Sequence, residues 1–146
     1  MDIKRILISV DNSAVALNTA RVGMDIAKQL SAEVALIYVV DRNKETLNVD
    51  LGIMPGQSEM LLLKQAQATL EEMKKLYTGI VELQCFTPEG FPNEVIVKYA
   101  QTWQADLIII GNREKKGIER FLNASVMEYV IKNAPVPVMV IPQKKS

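Results

Sequence analysis

Residues 105–125 read ADLIIIGNREKKGIERFLNAS, and this stretch decides the fold. Residues 107–110 form an unbroken apolar run that Gly111 closes. A run without polar alternation is typical of a strand that is covered on both faces of a sheet. A basic loop follows, and Ser125 then precedes apolar residues at helical spacing. We therefore predict a strand, a loop and a helix that Ser125 opens, a layout that presents backbone N–H groups to an anion.

The rest of the chain alternates the same two patterns. The strand-like runs are residues 3–10, 33–40, 80–86, 106–110 and 138–141. The helical patterns are residues 14–30, 58–77, a stretch that begins at Pro92, and 125–133. Helices that alternate with unbroken apolar strands predict an α/β fold with a five-stranded, parallel, doubly wound sheet.

The composition excludes several classes of protein. The 146 residues carry 17 basic and 17 acidic side chains, so no overall field favours nucleic acid or an anionic membrane. Histidine is absent, which excludes Ser-His-Asp and Cys-His catalysis and removes a common metal ligand. Cys85 is the one cysteine, which fits a reducing compartment. The first residues, MDIKRILISVD, have an apolar run far too short for a signal peptide or membrane span, so we expect a cytoplasmic protein. Because histidine, a cysteine pair and an HExxH motif are all absent from the sequence, we expect no metal site.

The predicted topology singles out one edge of the sheet for ligand binding. Doubly wound sheets bind ligands beyond the carboxyl ends of their strands, at the switch point. The residues predicted there are Asp11-Asn12-Ser13, Val39-Val40-Asp41 and the loop of residues 111–125. Residues 41–57 have no clear period and contain Gly52, Pro55 and Gly56, so we expect a long excursion that forms a mobile flap.

Several segments, taken together and in order, resemble the universal stress protein family. They are ILISVDNS at residues 6–13, LIYVVD at residues 36–41, Gly90-Phe91-Pro92, residues 106–111, and Ser125-Val126 with Ala134-Pro135-Val136-Pro137-Val138. The resemblance implies one Rossmann-like domain over residues 1–146, similar to the adenine nucleotide alpha hydrolases, with the expected strand order 3-2-1-4-5. It also implies a homodimer that pairs through the last strand, at residues 136–141.

The resemblance further implies a nucleotide cleft across the ends of strands one, two and four. Its candidate residues are Ser9, Val10, Asp11, Val39, Ile110, Gly111, Gly117, Ser125 and Val126. In the family, the phosphate loop reads Gly, two residues, Gly, nine residues, Gly, then Ser or Thr. Laid on this chain without a gap, that motif starts at Gly111 and ends at Ser125, but Glu114 and Ala124 replace its second and third glycines.

These two replacements predict weak or absent ATP binding. Glycine permits positive φ and lets the backbone approach a phosphate, so Ala124 costs on the order of 1 kcal/mol if its position needs positive φ. Glu114 places a carboxylate beside the polyphosphate, which costs roughly 1 to 4 kcal/mol for one charge pair at about 4 Å. Together these terms correspond to about a tenfold to several-thousandfold loss of affinity, which Arg113, Lys115 and Lys116 partly offset. The sequence therefore assigns no cofactor firmly.

Several candidate side chains have a second interpretation that needs no ligand. Asp11 contacts a ribose or a metal, or instead forms a turn or a helix cap. Asp41 contacts a ribose or simply ends a strand. Ser125 binds a phosphate or only caps a helix. The basic side chains of residues 113–116 hold an anion or lie solvated. The sequence leaves these alternatives open.

Three functions remain open from the sequence. The favoured one is a homodimeric, cytoplasmic stress-response or regulatory protein with a degenerate nucleotide site, which acts through partners rather than by catalysis. The second is an ATP-binding member of the family with slow hydrolysis or nucleotide switching, and the third is a flavin-binding or electron-transfer domain. Nucleic-acid binding is not expected, because no basic stripe is interleaved with aromatic residues.

Overall fold

The five apolar runs form the strands of one parallel sheet. The structure is a computed structural model; it describes residues 1–41, 55–80, 82–112 and 118–142, the side chains of residues 55–56 and 118–125 excepted. The strands are β1 (Arg5–Ser9), β2 (Glu33–Ile37), β3 (Leu83–Phe86), β4 (Leu107–Gly111) and β5 (Val138–Ile141). They lie in the order β3-β2-β1-β4-β5, and every pair is parallel. The predicted fold class and strand order are confirmed.

In the part of the chain that the structure describes, four helices connect these strands. They are α1 (Ala14–Leu30), α2 (Pro55–Lys74), α3 (Pro92–Thr102) and α4 (Ile118–Asn133). The bounds of α1 are those predicted, whereas α2 begins three residues before the predicted start. Its first residue is Pro55, whose fixed φ and missing N–H suit the first helical position. In the described ranges, no helix combines the length and the apolar character that a bilayer crossing requires.

Each face of the sheet is covered by two helices. Because successive side chains of a strand point to opposite faces, Ile6 and Ile8 pack with α1 and α2, whereas Leu7 packs with α3 and α4. All three side chains are fully buried. Burial on both faces is the reason that the strands are continuous apolar runs in the sequence.

The predicted second strand, residues 33–40, is divided in two in the structure. After β2 ends at Ile37, Val40–Asp41 pairs in parallel with Glu89–Gly90 to form a separate short ribbon. The division follows from Pro88, which has no N–H to donate. Its carbonyl accepts the Val40 N–H at 2.7 Å, and regular pairing resumes at the next residue. Most of the expected flap, residues 42–54, lies outside the described residues.

The Asp106 carboxylate joins the amino ends of β1 and β4. Its Oδ2 accepts the backbone N–H of Lys4 at 2.9 Å and that of Arg5 at 3.0 Å. The Arg5 side chain in turn donates to the Glu33 carboxylate and lies over the ring of Trp103, 5.6 Å from its centroid. This network fixes the central strands to each other at the end of the sheet opposite the predicted ligand edge.

We expect Asp106→Ala to lower the free energy of unfolding by about 1 to 3 kcal/mol, because two backbone donors lose a charged acceptor. Urea denaturation of the wild type and the variant measures this change. The control is Asp25→Ala, which removes an exposed carboxylate from α1, and it should change the free energy by less than about 0.5 kcal/mol. Equal losses in the two variants would contradict the role given to Asp106.

Candidate functional site

The carboxyl end of β1 lies at the centre of the predicted ligand edge. Ser9 is in register with Ile37 of β2 on one side and with Ile110 of β4 on the other. The chain therefore leaves β1 for a neighbour on one side and later returns to its other side, which is the arrangement of a topological switch point. The structure brings together at this edge the candidate residues Ser9, Val10, Asp11, Val39, Ile110 and Gly111.

The turn after β1 is held by Asp11. The Ser13 N–H donates to Oδ1 of Asp11 at 2.8 Å, and the Val10 N–H donates to the Ile37 carbonyl at 3.0 Å. Ser13 is the N-cap of α1 by backbone conformation, but its side chain makes no capping bond. Asp11 therefore has the turn chemistry that the sequence allowed as one of two interpretations, and this bond orients the first turn of α1 beside the cleft.

The chain after β2 is held through its backbone. The Tyr38 N–H donates to the Phe86 carbonyl at 2.9 Å, and the Val40 N–H donates to the Pro88 carbonyl at 2.7 Å. Val40 packs into the core with α1 and α2, whereas the half-buried Val39 faces the side of α3 and α4. Of these two residues of the predicted ligand edge, Val40 therefore has its N–H already bonded within the protein.

Gly111 is a glycine because α1 passes against it. A Cβ built at this position would overlap Oγ1 of Thr19 and lie 3.3 Å from Cγ1 of Val15. Thr19 is fully buried, and its hydroxyl donates to the Val15 carbonyl at 3.1 Å, so it has little room to move. The first glycine of the phosphate motif is thus explained by packing between helix and strand, without any ligand. This contact joins two distant parts of the chain, so no local sequence pattern indicates it.

The prediction that Ser125 opens the last helix is wrong. Helix α4 begins at Ile118, so Ala124 and Ser125 lie in its second turn. Residues in the interior of an α-helix have negative φ, so Ala124 does not take the positive φ that the motif position was considered to need. The strain expected for an alanine at positive φ therefore does not arise. Val126 follows in the same helix and packs, partly buried, on the core side of α3 and α4.

The remaining loop candidates fall between β4 and α4 in the chain. Residues 113–117, which include Glu114, the basic side chains and Gly117, lie outside the described residues. On the described side of the loop, the Asn112 N–H donates to the Ile141 carbonyl at 2.8 Å, so β4 stays paired with β5 to its end.

Within the described ranges, neither a metal centre nor a reactive thiol marks this site. Among the residues that the structure describes, no group of three or more Asp, Glu, Cys or His side chains is arranged to hold a metal ion. Cys85 lies on β3, away from the cleft, and burial raises the pKa of its thiol, an effect that nearby Lys74 opposes only in part. The thiol is therefore protonated at neutral pH, and a protonated thiol is a poor nucleophile.

The contact between Gly111 and Thr19 yields a prediction. We expect Gly111→Ala to lower the free energy of unfolding by about 1 to 3 kcal/mol without any nucleotide present, because overpacking forces buried groups apart. Adding Thr19→Ala should recover part of that loss, with a favourable coupling of about 1 kcal/mol in a double-mutant cycle measured by urea denaturation. Strictly additive losses would show that the two side chains do not meet.

Comparison with known proteins supports one family over nearly the whole chain. The sequence model of the universal stress protein family matches residues 2–142. Universal stress protein MJ0531 of Methanocaldococcus jannaschii is 40% identical over 144 residues, which cover 98% of this chain and 84% of that protein. The solved structure of universal stress protein UspA from Lactobacillus plantarum matches with a TM-score of 0.75 at 26% identity, over 97% of this chain and 99% of its own.

Two more distant neighbours were solved with a nucleotide. One is a universal stress protein in complex with cAMP, with a TM-score of 0.70 at 17% identity over 99% of this chain and 100% of its own. The other is the Archaeoglobus fulgidus universal stress protein in complex with dAMP. It matches with a TM-score of 0.64 at 20% identity, over 97% of this chain and 99% of its own. At these identities the likeness shows the fold alone. The family match, together with the 40% identity to MJ0531, shows that this chain belongs to the universal stress protein family.

Proposed function

We propose that this protein is a homodimeric regulator of the universal stress protein family, which acts through protein partners and binds ATP weakly or not at all. The observation that carries the proposal is the start of α4 at Ile118. The last two positions of the phosphate motif, Ala124 and Ser125, thereby become interior residues of a helix. The single cysteine fits the proposed cytoplasmic location.

Helix geometry explains why this start matters. In an α-helix only the first four N–H groups lack an acceptor inside the helix. The N–H groups of Ala124 and Ser125 lie beyond that first turn, so they are committed to bonds with carbonyls four residues earlier. A phosphate that needs those donors has to break helical hydrogen bonds before it binds. The free energy of that unwinding is subtracted from the binding free energy.

The charge of Glu114 acts in the same direction. The motif places this carboxylate where a glycine backbone approaches the polyphosphate. Its repulsion of a phosphate at about 4 Å costs roughly 1 to 4 kcal/mol, depending on screening. A nucleotide with one phosphate meets less of this repulsion than ATP does, because it carries less negative charge into the loop.

A second candidate function is therefore nucleotide sensing by a ligand with a single phosphate. Its support is that two relatives of the same fold hold cAMP and dAMP, each of which has one phosphate. The carboxyl edge of this sheet also has a switch point, with the turn at Asp11 after β1 and Val39 after the neighbouring strand β2. Contacts of an adenosine group at this edge do not require the N–H groups of Ala124 and Ser125, which bond within α4.

Isothermal titration calorimetry with ATP and magnesium tests the proposed function. We expect binding at least about tenfold weaker than the ~1 μM dissociation constant of a firm nucleotide site. The double variant Glu114→Gly with Ala124→Gly should bind ATP more tightly, because it removes a negative charge and lowers the helix propensity of α4. A parallel titration with AMP tests the second candidate, which requires AMP to bind more tightly than ATP.

The matched control for this titration is Glu128→Gly, which removes an exposed carboxylate from the far part of α4. It should leave the ATP affinity unchanged. A wild-type dissociation constant near 1 μM for ATP contradicts the proposal. An equal gain in the control and in the double variant would remove Glu114 and Ala124 as the cause of weak binding.

The proposed homodimer is supported by the outer edge of β5. This strand is last in the sheet, and its side chain Met139 is 37% exposed. An open, apolar edge strand is a surface that a second strand can pair with, and natural proteins rarely leave one uncovered. A second copy of this chain would extend the sheet through residues 136–141 and would shield Met139.

We expect size-exclusion chromatography at micromolar concentration to give a mass of twice 16.3 kDa. Met139→Lys should shift the protein to the monomer, because it places a charge in the pairing surface. The control Leu30→Lys changes an exposed leucine at the end of α1 and should leave the dimer intact. A wild type that elutes only as monomer, or a Met139→Lys dimer as stable as the wild type, would rule out this interface.

A further inference from the structure

A groove of about 360 Å³ lies between α2 and the short ribbon, on the α2 side of the nucleotide cleft. It is lined by Val40, Glu59, Met60, Leu63, Thr87 and Glu89. Val40 forms a buried apolar floor, whereas Met60 and Leu63 stand at the wall from successive turns of α2. Residues three apart on a helix share a face, so these two side chains present one apolar surface.

The exposure of α2 beside this groove is unusual for a helix that packs on a sheet. Met60 is 59% exposed, and its neighbour Leu61 is 54% exposed on the adjoining face of the helix. Contiguous apolar exposure with a polar rim marks surfaces that bind other proteins. Methionine suits such a surface, because its flexible thioether adapts to different partners. A small ligand held in the groove would leave Leu61 uncovered, whereas a polypeptide that crosses α2 would cover it.

The charge of the groove indicates the chemistry of its occupant. Two carboxylates, Glu59 and Glu89, stand at its rim, and none of its described lining residues is basic. Glu89 already has an interaction within the protein. Within the described ranges, the ion pairs of α2 are those of Glu71 with Lys74 and Glu72 with Lys75, which do not involve Glu59. Glu59 is therefore placed to pair with a cation that a partner supplies.

We propose that this groove binds a polypeptide segment of a partner protein that inserts an apolar side chain against Met60 and Leu63 and pairs a lysine or arginine with Glu59. The inference rests on the proposed function, in that the protein acts through partners, and it names the surface and the kind of partner. The surface is separate from the β5 edge, which lies at the other side of the sheet, so a dimer leaves it accessible.

The test uses two synthetic octapeptides with the same leucine and phenylalanine residues, one with three arginines and one with three glutamates in their place. The readout is the NMR signal of ¹³C-methyl methionine, with the Met60 methyl assigned by its loss in Met60→Leu. We expect the basic peptide to shift the Met60 signal and to leave that of Met139 unchanged. The acidic peptide should bind at least about fivefold more weakly, because it meets the carboxylates of the rim.

Substitution of Glu59 supplies the decisive comparison. Glu59→Gln should weaken binding of the basic peptide about two- to fivefold, as expected for one exposed charge pair. The matched control is Glu72→Gln, which removes an exposed carboxylate from the far part of the same helix and should change nothing. Equal effects of the two variants, or equal binding of the two peptides, would overturn the proposal.

Other occupants give distinct outcomes in the same experiment. Phenethylamine, a small amphipathic amine, would overturn the polypeptide assignment if it shifted Met60 at concentrations as low as the basic peptide. A Met60 signal that moved with protein concentration alone would assign the groove to a second copy of the chain instead. No shift with the basic peptide at millimolar concentration would also overturn the proposal, whereas the ATP titration and the dimer measurement would stand unaffected.

Discussion

The close approach of α1 to the sheet sets the geometry of the whole carboxyl edge. A Cβ added at Gly23 would lie 2.5 Å from Cδ1 of the buried Ile8, and one added at Gly111 would overlap Thr19. Along the same helix, α1 also buries the small residues Ala16, Ala20 and Ala27. Since protein interiors are packed as densely as organic crystals, larger residues would push the helix outward. Its first turn, tied by Asp11, would then no longer stand beside the ends of β1 and β4.

The sequence predicted this framework because its determinants are local. Strands buried on both faces are continuous apolar runs, and α1 was predicted to its exact residues by helical spacing between turn residues and a polar end. The order of strands and helices then limited the topology to one doubly wound sheet, which placed the ligand edge. The turn chemistry of Asp11 was one of the two interpretations that its residue type allowed.

The rest of the site could not be read from local pattern. Ser125 fits a helix N-cap by residue type, yet Ile118, Phe121 and Leu122 also have helical spacing, and the helix includes them. The phosphate motif, which ends at Ser125, favours a helix that starts at Ser125 rather than at Ile118. The packing role of Gly111 depends on Thr19, which is remote in the chain, so no window of sequence reveals it. The division of the second strand likewise depends on a partner, Pro88, that follows a different strand.

The structure thus joins a doubly wound parallel sheet to a helix, α4, whose interior includes the last two positions of the motif, Ala124 and Ser125. The most direct measurement is a crystal structure of the protein grown with excess ATP and magnesium. We expect α4 still to start at Ile118 and no ordered triphosphate to lie against residues 111–125. A triphosphate seated there at full occupancy, with residues 118–125 unwound to bind it, would contradict the account.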